Sequence, residues 1–176
     1  MSKLIFLFLA PLLFASSVNT EVKWNENQLL TWSDFSGKID SSSEYDAWTW
    51  SGFNYSYTWD VADGGPIVEC EAYAFFDPSQ SWVKKNKQSE ELLRHEQIHF
   101  NISELHARYF KEKVDVYQFT MEVETEMEVI YNTTFEDLLA MQIQYDEETD
   151  HCKKKEEQVR WINFVNDELK RLVEYK

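Results

Sequence analysis

All four glycines and all three prolines lie before residue 79, so residues 79–176 hold no glycine and no proline. A stretch of that length without either residue contains nothing that breaks a helix or readily takes a left-handed turn. It therefore reads as helices. Whatever sheet the chain forms must come from the part before residue 79, together with a few residues after it.

That first part is rich in Trp, Tyr, Thr and Ser. In "SGFNYSYTW" the alternation puts Phe53, Tyr55, Tyr57 and Trp59 on one strand face. "DGGP" at Asp63 to Pro66 is a turn signal, and "IVECEAYAFF" after it reads as the returning strand of an antiparallel pair. Residues 21–83 thus form a small antiparallel sheet. In the second part, Ser89 caps a helix whose first turn carries Glu90 and Glu91, favourable at the positive end of the helix dipole, and the pattern runs to about Val114. "VDVYQFTMEVETEM" suits strand or helix. A second helix is expected from Thr134, with Asp137 three residues on resembling a capping box, toward His151. A third, holding Trp161, Ile162, Phe164, Val165, Leu169 and Leu172, follows it. The fold class is α+β.

Residues 1–17 read as a signal peptide: Lys3, an apolar run from Leu4 to Phe14, then Ala15, Ser16 and Ser17. The run is shorter than the roughly 20 residues a membrane span needs, and no later stretch is apolar for long enough. The expectation is an exported protein, secreted or periplasmic, with no stable membrane insertion and one domain over 18–176. The formal charge is −15, and loss of Lys3 makes the mature chain more negative still. Such a surface repels nucleic acid and anionic membranes. Cys70 and Cys152 are free to pair in an oxidising compartment, and their spacing does not decide whether they do.

The chemistry concentrates in "LLRHEQIHF", residues 92–100. At about 100° per residue, taking His95 as zero, Leu92, Ile98, His99, Ile102, Leu105, Tyr109 and Phe110 lie within about 80°, while Gln97, Asn101, Glu104 and Arg108 fall on the opposite face. Both histidines face inward, and the other side reads as solvated. Two buried imidazoles are costly unless both find partners. One metal ion satisfies both, because side chains four apart on a helix project side by side. Glu96 points away from the pair, where a general base for an activated water stands in HExxH sites. Packing histidines satisfied by hydrogen bonds are the bland alternative.

A catalytic zinc takes three protein ligands. His106 shares the stripe, but seven residues past His99 is about 10 Å of rise. Glu104 is on the far face, paired with Arg108. "YDEETDHC" offers the rest: His151 is the choice, since imidazole suits zinc, with Asp146 the main rival and Cys152 the soft-ligand option.

These residues, with "LLTWSDFSG" at Leu29 to Gly37, "SWV" at Ser81, "LLRHEQIHFNISELHAR" at Leu92 to Arg108, and Gln158 and Trp161, resemble a bacterial family of exported proteins of undetermined function proposed to be secreted zinc-dependent proteases. The resemblance implies a zincin-like metallopeptidase domain over 18–176, a sheet packed on a metal-binding helix. It implies a Zn2+ cofactor on His95, His99 and His151, Glu96 as catalytic base, and a peptide or protein substrate. A histidine followed by glycine stands in that family where His151 and Cys152 stand here, and a Cys70–Cys152 bridge is a conceivable substitute for the lost glycine. An edge strand, "VECEAYAFF", would pair with an extended substrate. The alternative function is a non-catalytic binding module for glycan or peptide, its metal structural or absent, with Trp48, Trp50 and Trp59 as a stacking platform.

Overall fold

The computed structural model describes residues 21–176; the expected export signal lies outside them. Antiparallel strands occupy the N-terminal half and helices the C-terminal half. The strands are β1 (Val22–Lys23), β2 (Ala47–Trp48), β3 (Ser51–Ala62), β4 (Gly65–Phe76) and β5 (Trp82–Val83). The helices are α1 (Glu90–Val116), α2 (Val123–Thr149) and α3 (Lys155–Arg171), and short 3-10 turns cover Trp32–Asp34 and Val173–Tyr175. Among the described residues no helix is long and apolar enough to cross a membrane.

β3 and β4 form the expected hairpin, paired from Ser51 opposite Phe76 to Ala62 opposite Gly65, so Asp63 and Gly64 make the two-residue connection. Gly65 carries a φ of 114°, which only glycine adopts without strain. The alternating face packs on the helices: the Phe53 ring is 5.7 Å from Phe110 and 5.3 Å from Tyr131, and Tyr55 is 4.8 Å from Phe110. The stretch "VECEAYAFF" lies in β4, and most of it keeps one open edge, as expected. The sheet order is β1-β4-β3, and the two-residue β1 pairs with β4 only at Phe75 and Phe76, so β4 is flanked on both sides at that end alone among the described residues. β2 and β5 form a second, two-stranded sheet and pair only with each other.

Ser89 caps α1 as its position demands, its Oγ accepting the Leu92 N–H at 3.1 Å. The ambiguous stretch divides: residues 117–122 connect the helices and α2 begins at Val123 rather than Thr134. Buried Val123, Met127 and Ile130, spaced by four and three, carry the helix through the supposed start. Thr134 is interior, its hydroxyl donating to the Ile130 carbonyl at 2.7 Å instead of capping.

The larger correction concerns the face of α1 expected to be wet. Gln97, Asn101, Glu104 and Arg108 are all buried, at 9%, 9%, 6% and 3% exposure. The N-terminal segment, β4 and the end of α3 cover them and replace water bond for bond. The Leu30 N–H donates to Gln97 Oε1 at 2.7 Å, Trp24 Nε1 donates to Asn101 Oδ1 at 2.9 Å, and the Ala74 N–H reaches Glu104 Oε2 at 3.4 Å. Arg108 pairs with Glu104 at 2.9 Å and donates to the Leu169 carbonyl at 2.7 Å. Among the described residues no buried side-chain polar atom lacks a partner. Periodicity reports which residues are polar, but a polar face is solvated only if nothing of matching hydrogen-bond pattern packs on it.

Removing one member of a buried ion pair leaves the other without compensation. Arg108→Met is therefore expected to lower unfolding free energy by about 3–5 kcal/mol in chemical denaturation; a change near zero would show that water, not Arg108, compensates Glu104.

Candidate metal centre

Helix α1 presents His95 and His99 from successive turns, and α2 brings Asp146 against both. His95 Nε2 and His99 Nε2 each lie 3.0 Å from Asp146 Oδ1, and 3.2 Å from each other. This is the one group of three such donors found among the described residues, its ligand atoms all within 4.8 Å of one another.

Two glutamines orient the rings. Gln142 donates its amide N–H to the His99 carbonyl at 2.9 Å, which turns its own carbonyl oxygen to His99 Nδ1. Gln158 donates to the Tyr145 hydroxyl at 2.5 Å, which turns its oxygen to His95 Nδ1 at 3.1 Å. In both imidazoles Nδ1 must then carry the proton, and in the neutral ring Nε2 is left as a bare lone pair. Tyr145, fully buried, stacks on His95 with ring centroids 4.5 Å apart and an interplanar angle of 20°. Gln142, Tyr145, Asp146 and Thr149 follow the three-and-four spacing of one helical face.

Two lone pairs and a carboxylate oxygen so close repel unless a cation stands among them. A tetrahedral site with bonds of 2.0–2.1 Å separates its ligand atoms by about 3.3 Å, close to the 3.0, 3.0 and 3.2 Å found here. The donor set fits a divalent ion. In the metal-free protein a proton takes that place. Burial alone would push the His99 imidazole down, but the hydrogen bond and negative charge of Asp146 outweigh it and push it up to about 9. Burial likewise works to raise Asp146, yet the two imidazoles hold it well below the usual carboxylate range.

Glu96 is 3% exposed, and the Thr49 hydroxyl donates to its Oε2 at 2.7 Å. His151 is brought to the same corner: its Nδ1 is 3.4 Å from Asp146 Oδ1, its side chain is 40% exposed, and the Tyr45 ring lies 5.0 Å away. It stands beside the trio, and Asp146 completes the trio. His106 donates from Nδ1 to the Ile102 carbonyl at 2.8 Å, and burial holds its pKa down, so it remains a neutral core histidine.

The loop after α2 has three successive left-handed residues, Asp150, His151 and Cys152, with φ of 48°, 50° and 69°. Cys152 thus has the backbone conformation that favours glycine. Both cysteines are free, and they pack against different hydrophobic clusters, so the conceivable bridge is not formed. Asp146 is the rival ligand that the sequence offers and Gln158 enters there only through the resemblance, whereas Gln142 and Thr49 do not stand out in it. For Gln142 a signal existed, a polar residue four before Asp146 on the same face. For Thr49 none did.

Residues 76–152 match a family described as "Bacterial protein of unknown function (DUF922)". The match runs from the end of β4 through α1 and α2 to Cys152, so it contains the histidine pair, Glu96, Gln142, Asp146 and His151 but not Gln158. No curated protein and no solved structure matches the chain.

Loss of a hydrogen-bond partner to a metal-bound imidazole typically costs 10–100-fold in metal affinity. Gln142→Leu and Gln158→Leu should each weaken binding of a divalent metal by about that factor in chelator competition; unchanged affinity in both would show that they do not orient the rings. In the metal-free protein His99 has a folded pKa above its ordinary 6.5. The stability it contributes is complete below about pH 6.5 and is lost as pH rises through about 9. Thermal melting of the metal-stripped protein should therefore fall between pH 7 and 9, and more steeply than that of His99→Gln.

Proposed function

We propose that this protein is an exported zinc-dependent hydrolase, a metallopeptidase acting on peptide or protein substrates. The observation that carries the reading is the meeting of three oriented acceptor atoms, two imidazole Nε2 and one carboxylate oxygen, beside a buried glutamate. Zinc on His95, His99 and Asp146 would supply Lewis acidity, activating a water at neutral pH and polarising the scissile carbonyl. Glu96 accepts the proton of the attacking water and returns it to the leaving amine. Thr49 holds one oxygen of that carboxylate, leaving the other for the proton. Gln142 and Gln158 keep both rings in the tautomer that turns Nε2 to the ion. The wall formed by Tyr145 keeps water off the far side of His95. His151, which the sequence alone suggested as third ligand, is placed in this reading at the rim of the site beside Asp146.

Tight zinc binding is expected to survive Glu96→Gln while hydrolysis falls by at least a hundredfold; full turnover by that variant removes Glu96 from the mechanism. Metal analysis separates the ligands. Asp146→Ala should lose stoichiometric zinc and His151→Ala should keep it, and the reverse result would restore His151 as the third ligand.

A second reading, a non-catalytic glycan- or peptide-binding module, draws on the exposure of Trp48 and Trp50, at 41% and 45%. Trp59, its third aromatic, is instead packed against the main core and bonded to Glu124. Ligand binding by metal-stripped protein without any hydrolysis by the zinc form would favour it.

A further inference from the structure

Tyr45, Trp48 and Trp50 stand apart from the other large aromatic side chains, most of which pack against the two cores. Each is more than two-fifths exposed, and they line one open groove of about 460 Å³ together with the buried Trp82. That volume is within the range of small-ligand sites, about 300–1,000 Å³. The run 47–50 alternates: Ala47 enters the core and Thr49 holds Glu96, while Trp48 and Trp50 open into the groove. One short segment therefore bonds Glu96 of α1 on its inner face, through Thr49, and presents an aromatic wall on its outer face. Tyr45 closes the junction, its ring 6.0 Å from Trp48 and 5.0 Å from His151.

We propose that this groove is the recognition site for the substrate, taking a bulky apolar side chain, aromatic by preference, from an extended polypeptide held at the metal centre. The proposal rests on the peptidase reading and names its specificity. Flat indole and phenol faces gain most from aromatic partners in offset or edge contact. Lys38 and Asp40 at the rim carry opposite charges, so the groove selects for shape and apolarity rather than charge.

The test uses the zinc-loaded full chain and pairs of internally quenched peptides that differ only in Phe against Ser at one position. The wild-type protein is expected to prefer Phe, and Trp48→Ala and Trp50→Ala to cut that preference about tenfold or more through KM, with kcat and zinc content unchanged. Trp50→Phe should restore it. In parallel, the Phe and Ser peptides and chitohexaose are titrated onto Glu96→Gln by fluorescence anisotropy or calorimetry, which reads the groove whether or not the protein cleaves anything. Tighter binding of the Phe peptide, weakened by Trp50→Ala, supports the proposal. Equal binding of both peptides, or binding of the sugar alone, overturns it. A protein that takes up no zinc and cleaves nothing sinks the peptidase reading, and the groove is then judged on the titration alone.

Discussion

Three acceptor atoms in van der Waals contact are the constraint on which the centre depends. His95 Nε2, His99 Nε2 and Asp146 Oδ1 occupy the corners of a triangle whose longest side is 3.2 Å. Left empty, that triangle is repulsive, so the fold needs a cation there, a proton or a metal. The surrounding structure turns this need into selectivity for position. Gln142 from α2 and Gln158 from α3 fix the two Nδ1 protons, which ties the orientation of two rings on α1 to both other helices at once.

Such orientation is useful only on a scaffold that does not move, and α1 is held from every side. Aromatic rings of β3 press on one flank, while α2 and α3 contribute the metal-side residues. The Gln97, Asn101, Glu104 and Arg108 network is pinned on the remaining side by Trp24, Leu30, Ala74 and Leu169. Polar contacts in a low-dielectric interior are directional, so this side fixes the rotation of the helix as well as its place. A helix that cannot rotate presents His95 and His99 to one point.

Much of the fold was legible because it follows from local chemistry. The Asp63–Gly64 connection, the aromatic alternation from Phe53 to Trp59 and the Ser89 cap are decided within a few residues, and the structure has each where the sequence places it. Thr134 misled because a capping pattern has meaning only where a helix is free to begin, and the stripe of Val123, Met127 and Ile130 had already committed the chain. The polar face of α1 misled for the opposite reason. Its residues are ordinary surface types, and their partners come from segments up to 77 positions away.

The site divides along the same line. The placement of His95, Glu96 and His99 relative to one another was legible in the sequence because four residues of helix set their mutual geometry whatever surrounds them. Asp146 and His151 lie five residues apart in one acidic run, and nothing local ranks one above the other. Only the packing of α2 on α1 shows how they sit: it turns Asp146 onto both imidazoles, and the left-handed turn after Thr149 sets His151 Nδ1 3.4 Å from the same Asp146 oxygen. The sequence by itself determined that a histidine pair and a glutamate share one helix in an α+β chain. The tertiary structure alone decided which distant side chains meet them, since rotation and register between helices are set by the whole packed interface and by no single stretch of it.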